Sequence, residues 1–227
     1  MFYFGDFTYL MLIPALILTL YAQFKVNSTF QELSRVRSKV GLTGAEIARR
    51  LLDRNNLGDV RIEQIGGRLS DHYDPRSRVL RLSPQVYGSS SLASLGIAAH
   101  ETGHAIQHDN GYIPLKIRHT ILPVANFGST AGIYLFVFGL LFRSPSLMDL
   151  GIIAFTAVVL FQLVTLPVEF NASSRAIKML VANGYLEQDE IPETKKVLDA
   201  AALTYVAAAA MGIMQLLRLL MLRDRRN

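Results

Sequence analysis

The stretch 7–24, FTYLMLIPALILTLYAQF, contains no charged side chain. At about 1.5 Å per residue an α-helix of that length nearly covers the hydrocarbon thickness of a bilayer. Within lipid every backbone N–H and C=O must be satisfied inside the segment, so such a run is restricted to a helix. A cleaved signal peptide is the rival reading. It fits less well, because no basic residue precedes the run and no small-x-small site closes it. Three further runs repeat the pattern: 119–142 (HTILPVANFGSTAGIYLFVFGLLF), 150–168 (LGIIAFTAVVLFQLVTLPV) and 202–222 (ALTYVAAAAMGIMQLLRLLML). Pro123 and Gly128 are tolerable inside a helix bundle. The small residues of the last run let helices approach closely in lipid.

The basic residues set the expected orientation. The segment 25–118 carries 14 Lys and Arg, whereas the residues before the first run carry none. The positive-inside rule puts that segment in the cytoplasm, so the first span enters, the second leaves and the third returns. The fourth conflicts with the rule, because crossing places Arg223, Arg225 and Arg226 outside, with Arg218 near the same face. It either crosses fully or packs obliquely; crossing is the expectation taken. The net charge of +5 is explained by these flanks, and no nucleic-acid partner is expected. With no cysteine in the chain, a metal site must be built from His and carboxylates.

Between the first two spans the pattern changes from lipid-like to soluble. Thr43 with Glu46 three residues on forms a capping box, starting a helix through Ile47, Leu51 and Leu52 that ends near Asn55-Asn56. VRIEQI alternates at period two, and RVLRLS resumes a strand after DPRS, which predicts a hairpin or three-stranded sheet. One of Ser89 to Ser91 caps a further helix running to about Asp109, with Asn110-Gly111 as its stop.

That last helix holds the chain's densest chemistry. In IAAHETGHAIQH the residues His100, Glu101 and His104 spell H-E-x-x-H. Residues four apart share a helix face, so two imidazoles can reach one zinc while Glu101 leans over the same site to hold and deprotonate a water. Two histidines so spaced can equally be a polar stripe. The general poverty of histidine and a third ligand at the same membrane depth favour the metal. His108 lies about 12 Å along the axis from His100, too far to share one ion. The glycine that turns the chain in metzincins is here Gln107, so the helix continues. Glu169, at the point where the third span re-enters the cytoplasm, is the expected third ligand. Glu187, Asp189, Glu190 and Glu193 read as a solvated acidic turn.

Four motifs in order, DHYDPRSRVLRLS, AAHETGHAIQ, LPVEFNASSRA and AALTYVAAA, resemble the YugP-like bacterial membrane zinc metallopeptidases over nearly the whole chain. More distantly they resemble gluzincins such as the HtpX-type membrane proteases and the CAAX prenyl proteases. Those relatives carry E-F-x-A-D after the ligand glutamate. Here Glu169, Phe170 and Ala172 match, and Ser173 stands where the aspartate would be, leaving Asn171 or Ser173 to support the ligands. The resemblance implies one Zn2+ per chain and a polypeptide substrate. It also implies a single domain over 1–227 with a zincin-like α+β part at 25–118 and 169–201, in a mainly α bundle of three to four transmembrane helices. In such enzymes an edge strand binds extended peptide by strand addition. Either 78–83 (Arg78, Val79, Leu80, Arg81 and Leu82) or 69–75 would serve. His72 and Tyr73 are candidates for stabilising the oxyanion, with Arg175 orienting a carboxylate or that oxyanion.

The expected function is therefore an integral-membrane zinc endopeptidase of the bacterial plasma membrane, with its active site facing the cytoplasm. The alternative is a zinc-binding, proteolytically vestigial partner of a larger membrane assembly, and either form could be a homo-oligomer. A transporter is disfavoured. The polar residues in the apolar runs, Asn126, Ser129, Thr130 and Gln162, are uncharged, and no pair of interrupted helices is present.

Overall fold

The computed structural model describes residues 7–224. After a short 3-10 turn, Phe7–Leu12, the elements are α1 (Ile13–Leu33), α2 (Gly44–Arg54), β1 (Arg61–Gln64), β2 (His72–Asp74), β3 (Val79–Leu82), α3 (Pro84–Tyr87), α4 (Leu92–Asp109), α5 (Ile113–Leu141), α6 (Pro145–Ala182) and α7 (Glu190–Asp224). The protein is mainly helical with one small three-stranded sheet. Among the described residues, four helices are long and apolar enough to cross a membrane: Phe7–Leu33, α5, α6 and α7. Each outruns the apolar stretch that announces it, because hydropathy marks lipid contact and not the point where i to i−4 hydrogen bonding stops. Thus α6 continues past residue 168 to Ala182, and α7 begins at Glu190 rather than 202.

The chain divides into two compact units. One is drawn from residues up to 23, 116–167 and from 204 on; the other is drawn from 24–115 and 168–203. In the first, Phe136, Met148, Ile152, Phe155, Val159 and Leu219 form the core. Helices α5 and α6 touch backbone to backbone, since a Cβ on Gly151 would stand 2.6 Å from the Gly132 carbonyl oxygen. Large apolar side chains such as Phe127, Tyr134, Leu141 and Ile153 point outward, the surface expected of a helix in lipid. The two described arginines of α7 that strained the orientation rule both have partners. Arg223 pairs with Asp149 through contacts of 2.9 and 3.2 Å, which brings the last turn of α7 to the start of α6. The Arg218 guanidinium lies 3.7 Å from the Tyr9 ring centroid, and its Nε donates to Thr8 Oγ1 at 3.1 Å. Arg225 and Arg226 lie outside the described residues.

In the second unit the capping box forms as its residues dictate, with Glu46 N donating to Thr43 Oγ1 and Thr43 N to Glu46 Oε2. Ile47, Leu51 and Leu52 are fully buried against α4 and the sheet. The sheet order is β1-β3-β2, with β1 parallel and β2 antiparallel to β3. This overturns one of the two expected peptide-binding edges. Because β3 is the central strand, both its sides are already hydrogen-bonded, and Val79, Leu80 and Leu82 have no exposed surface. Arg78 is held by Asp59 at 2.6 Å, and Arg81 by Asp74 at 3.1 Å. The remaining alternative, 69–75, contains the edge strand β2. The acidic turn also differs from expectation. Glu190 is buried and accepts Lys39 N and Glu187 N at 2.8 and 2.9 Å, while Lys39 Nζ bridges Glu187 and Asp189. A carboxylate whose lone pairs meet two backbone donors is stable away from water, so this turn is a clasp.

Candidate metal centre

Ser91 caps α4 by accepting Ser94 N at 3.2 Å, and Gly111, at φ 62°, turns the chain after the helix. This fixes the helical phase on which His100 and His104 share a face, their ring centroids 4.8 Å apart and perpendicular. The opposing carboxylate comes from α6. At the crossing of the two helices Gly103 meets Ala172, where a Cβ would stand 2.9 Å from the Ala172 carbonyl oxygen. One turn earlier on α6 is Glu169, only 2% exposed. Its Oε2 lies 3.3 Å from His100 Nε2 and 3.5 Å from His104 Nε2. One ligand atom from each of the three residues lies within 4.8 Å of the others.

These residues fit a zinc ion. Ligands about 2.0–2.1 Å from a tetrahedral zinc stand roughly 3.3–3.5 Å from one another, the spacing observed between the two Nε2 atoms and the carboxylate. The donor set of two imidazoles and one carboxylate leaves a fourth position for water or substrate, as in catalytic zinc sites. The rear nitrogens of both rings are engaged. His100 Nδ1 lies 3.1 Å from Ser173 Oγ, and His104 Nδ1 lies 3.0 Å from Gln107 Oε1. Gln107, fully buried, donates from Nε2 to the Val168 carbonyl at 2.8 Å and to Asn171 Oδ1 at 2.9 Å. Arg175 Nε donates to the same Asn171 oxygen at 2.8 Å.

Glu101 is 8% exposed, and its Oε2 accepts the backbone N–H of Tyr73 at 3.0 Å. Burial pushes its carboxyl above the usual carboxylate range, against the pull of His104 and His100. That bond also orients the sheet. The Tyr73 N–H points off the outer side of β2, so this edge runs beside Glu101. Asp71, one residue before β2, accepts Ser83 N at 2.7 Å and Ser83 Oγ at 3.0 Å, which pins the strand's entry. Burial raises its carboxyl as well.

The other sequence candidates are placed less centrally. The register pairs His72 with Arg81 and Tyr73 with Leu80, so His72 faces the side of the sheet opposite Tyr73. Its Nδ1 lies 2.8 Å from the Ser70 carbonyl, and no described contact joins it to the His-His-Glu group. The Tyr73 hydroxyl lies 3.0 Å from His108 Nδ1, and His108 stands outside that group. Gln107 escaped the sequence reading as a functional residue, although its place three residues after His104 puts it on the same helix face. The backbone N–H of Tyr73 could not have been found from residue identities at all.

A family model described as "Putative neutral zinc metallopeptidase" matches residues 8–224. The chain is 52% identical over 210 residues to "Putative membrane protease YugP" of Bacillus subtilis (strain 168), covering 92% of this chain and 93% of that protein. No solved structure matches it. A family match that takes in every described helix and strand, supported by a relative this similar over nearly its full length, establishes that the chain belongs to that zinc metallopeptidase family.

Proposed function

We propose that the protein is a zinc-dependent endopeptidase that hydrolyses extended polypeptide segments at or near the membrane surface. The observation that carries this reading is the convergence of His100, His104 and Glu169 beside a buried Glu101 whose second oxygen, Oε1, has no described partner. A bound Zn2+ supplies Lewis acidity toward a carbonyl oxygen and lowers the pKa of water. Around it, His100, His104 and Glu169 are the ligands. Glu101 is the general base, its Oε2 steadied by Tyr73 N while Oε1 accepts the proton of the attacking water and returns it to the leaving amine. Among the described residues the outer edge of β2 has no strand partner, and its proximity to Glu101 supports binding of substrate there as an added strand. Burial of Glu101 and Glu169 keeps bulk water from competing for these carboxylates.

The basic character of residues 25–118 supports a cytoplasmic location for this unit. Because the chain contains no cysteine, single introduced cysteines at Arg68 and Ser146 test this directly. Labelling of Ser146→Cys but not Arg68→Cys by a membrane-impermeant maleimide in intact cells agrees with the orientation, and the converse refutes it. The catalytic reading is tested with purified protein in detergent, zinc analysis and a quenched peptide library. Wild type cleaves with one zinc bound, and Glu101→Gln keeps the zinc while losing cleavage by about 10²–10⁴-fold. Equal cleavage by Glu101→Gln removes the mechanism.

A further inference from the structure

The donor and acceptor inventory of Gln107 admits one solution. Both hydrogens of its amide nitrogen are committed, one to the Val168 carbonyl and one to Asn171 Oδ1, neither of which can donate in return if Asn171 keeps this orientation. Asn171 does keep it, because the same oxygen also faces Arg175 Nε, which can only donate. The Gln107 carbonyl oxygen must then be the atom facing His104 Nδ1 at 3.0 Å, and an amide oxygen only accepts. His104 therefore donates from Nδ1, which leaves Nε2, on the Glu169 side, as the nitrogen available to a metal.

We propose that Gln107 is a positioning residue that fixes the tautomer and ring orientation of His104, with Asn171 and Arg175 holding Gln107 in that role. The proposal rests on the reading of His104 as a zinc ligand. It assigns Arg175 a place behind the histidine rather than in contact with substrate: Arg175 Nε and Gln107 Nε2 both donate to Asn171 Oδ1, and His104 Nδ1 donates to Gln107 Oε1. It also separates the two histidines. His100 is backed by a single hydroxyl, Ser173 Oγ, which can rotate, whereas His104 is backed by a buried amide with no freedom to flip. Rotating that amide by 180° would set its oxygen against the Val168 carbonyl and its NH2 against His104 Nδ1–H.

The test uses full-length protein in detergent and compares wild type with Gln107→Met, which keeps the length and bulk of the side chain and removes its hydrogen bonds. Three readouts are taken: zinc affinity by chelator competition, the visible spectrum of the Co2+-substituted protein, and thermal melting of the zinc-free form. Loss of a group that orients a metal-bound histidine typically costs about 10–100-fold in affinity. The expected result is a zinc affinity lower by about that factor, with shifted Co2+ bands. Asn171→Ala, which leaves Gln107 in place but unanchored on one side, gives a smaller loss in the same direction. Unchanged affinity and an unchanged Co2+ spectrum in Gln107→Met overturn the proposal. If Gln107→Met does not fold, Asn171→Ala decides: weaker zinc binding supports the proposal, and wild-type affinity refutes it. His104→Ala and Glu169→Ala, measured alongside, keep the two claims apart. If either retains wild-type zinc binding, the ligand assignment itself fails; if both lose zinc and Gln107→Met does not, only the positioning role fails.

Discussion

Gly103→Ala probes the crossing that brings the two halves of the metal centre together. The new methyl would meet the Ala172 carbonyl oxygen at 2.9 Å, its Cα at 3.3 Å and its carbonyl carbon at 3.5 Å, all backbone atoms of α6. Ordinary carbon contacts lie at about 3.5–4.0 Å, so the helices must part by roughly half an ångström. Overpacking of this kind costs about 1–3 kcal/mol, while replacing a mid-helix glycine by alanine returns about 1 kcal/mol of helix propensity. The net loss of stability is then only about 0–2 kcal/mol. The metal centre is less forgiving, because zinc–ligand distances tolerate about ±0.2 Å, and Glu169 sits on the helix that is pushed away. The expected signature is a split: a small fall in the melting temperature of the zinc-free protein and a loss of zinc affinity of at least about tenfold, equivalent to 1.4 kcal/mol. Circular dichroism melts and chelator competition read the two quantities. Gly96→Ala is the control. Its methyl would meet the Thr194 side-chain methyl at 3.0 Å rather than a backbone, so zinc affinity should be preserved. A Gly103→Ala protein that binds zinc like wild type would refute the claim that this close approach sets the ligand geometry.

Two further outcomes follow from named contacts. The Asp71 carboxyl is raised by burial, so the folded state retains its proton to higher pH than the unfolded chain, and this group's contribution to stability falls as pH rises from the unfolded value of about 3.9 through the folded one. Asp71→Asn, whose amide oxygen still accepts Ser83 N, should flatten that decline and melt no lower than wild type at pH 7. Asp71→Ala, which strands the buried Ser83 N–H, should cost about 1–3 kcal/mol; a melt of Asp71→Asn far below wild type at pH 7 would contradict this. For the Arg223–Asp149 pair, both partly exposed, a double-mutant cycle in unfolding should return a coupling of about 0.2–1 kcal/mol. A coupling of zero would mean that this ion pair contributes nothing to holding the last turn of α7 at the start of α6.

The sequence was most legible where one residue type has one physical use. The capping box at Thr43 and Glu46, the stop at Asn110-Gly111 and the four apolar runs each predict an element that is present. Pairing in the sheet was not legible in the same way. RVLRLS and LSDHYDP are both candidates for the edge strand beside α4, and nothing in their composition says which takes the centre. The pairing of β3 with both β1 and β2 does so, because a strand hydrogen-bonded along both edges leaves a peptide no row of free N–H and C=O groups. Glu190 shows the same limit for charge. In sequence it is one of four acids in a turn, and only the fold reveals that two backbone N–H groups converge on it.

Ser173 carries the argument furthest. It stands where more distant relatives place an aspartate, and its hydroxyl lies 3.1 Å from His100 Nδ1. The group behind His104 is an amide, so neither imidazole is backed by a negative charge. Among the described residues, the buried carboxylates at the centre are then Glu169 and Glu101. This economy has a physical reason in the geometry. Burial raises the Glu101 carboxyl against the pull of His104 and His100, and Glu169 and Asp71 add to the rise as like charges. A third carboxylate behind His100 would bring one more like charge close to it. Neutral support from Ser173 and Gln107 fixes the direction of both rings without adding to that repulsion. The departure from the aspartate pattern is therefore compatible with a working general base at Glu101. It also moves the task of orienting the ligands from charge to hydrogen-bond geometry, which is why a buried amide without rotational freedom stands behind His104.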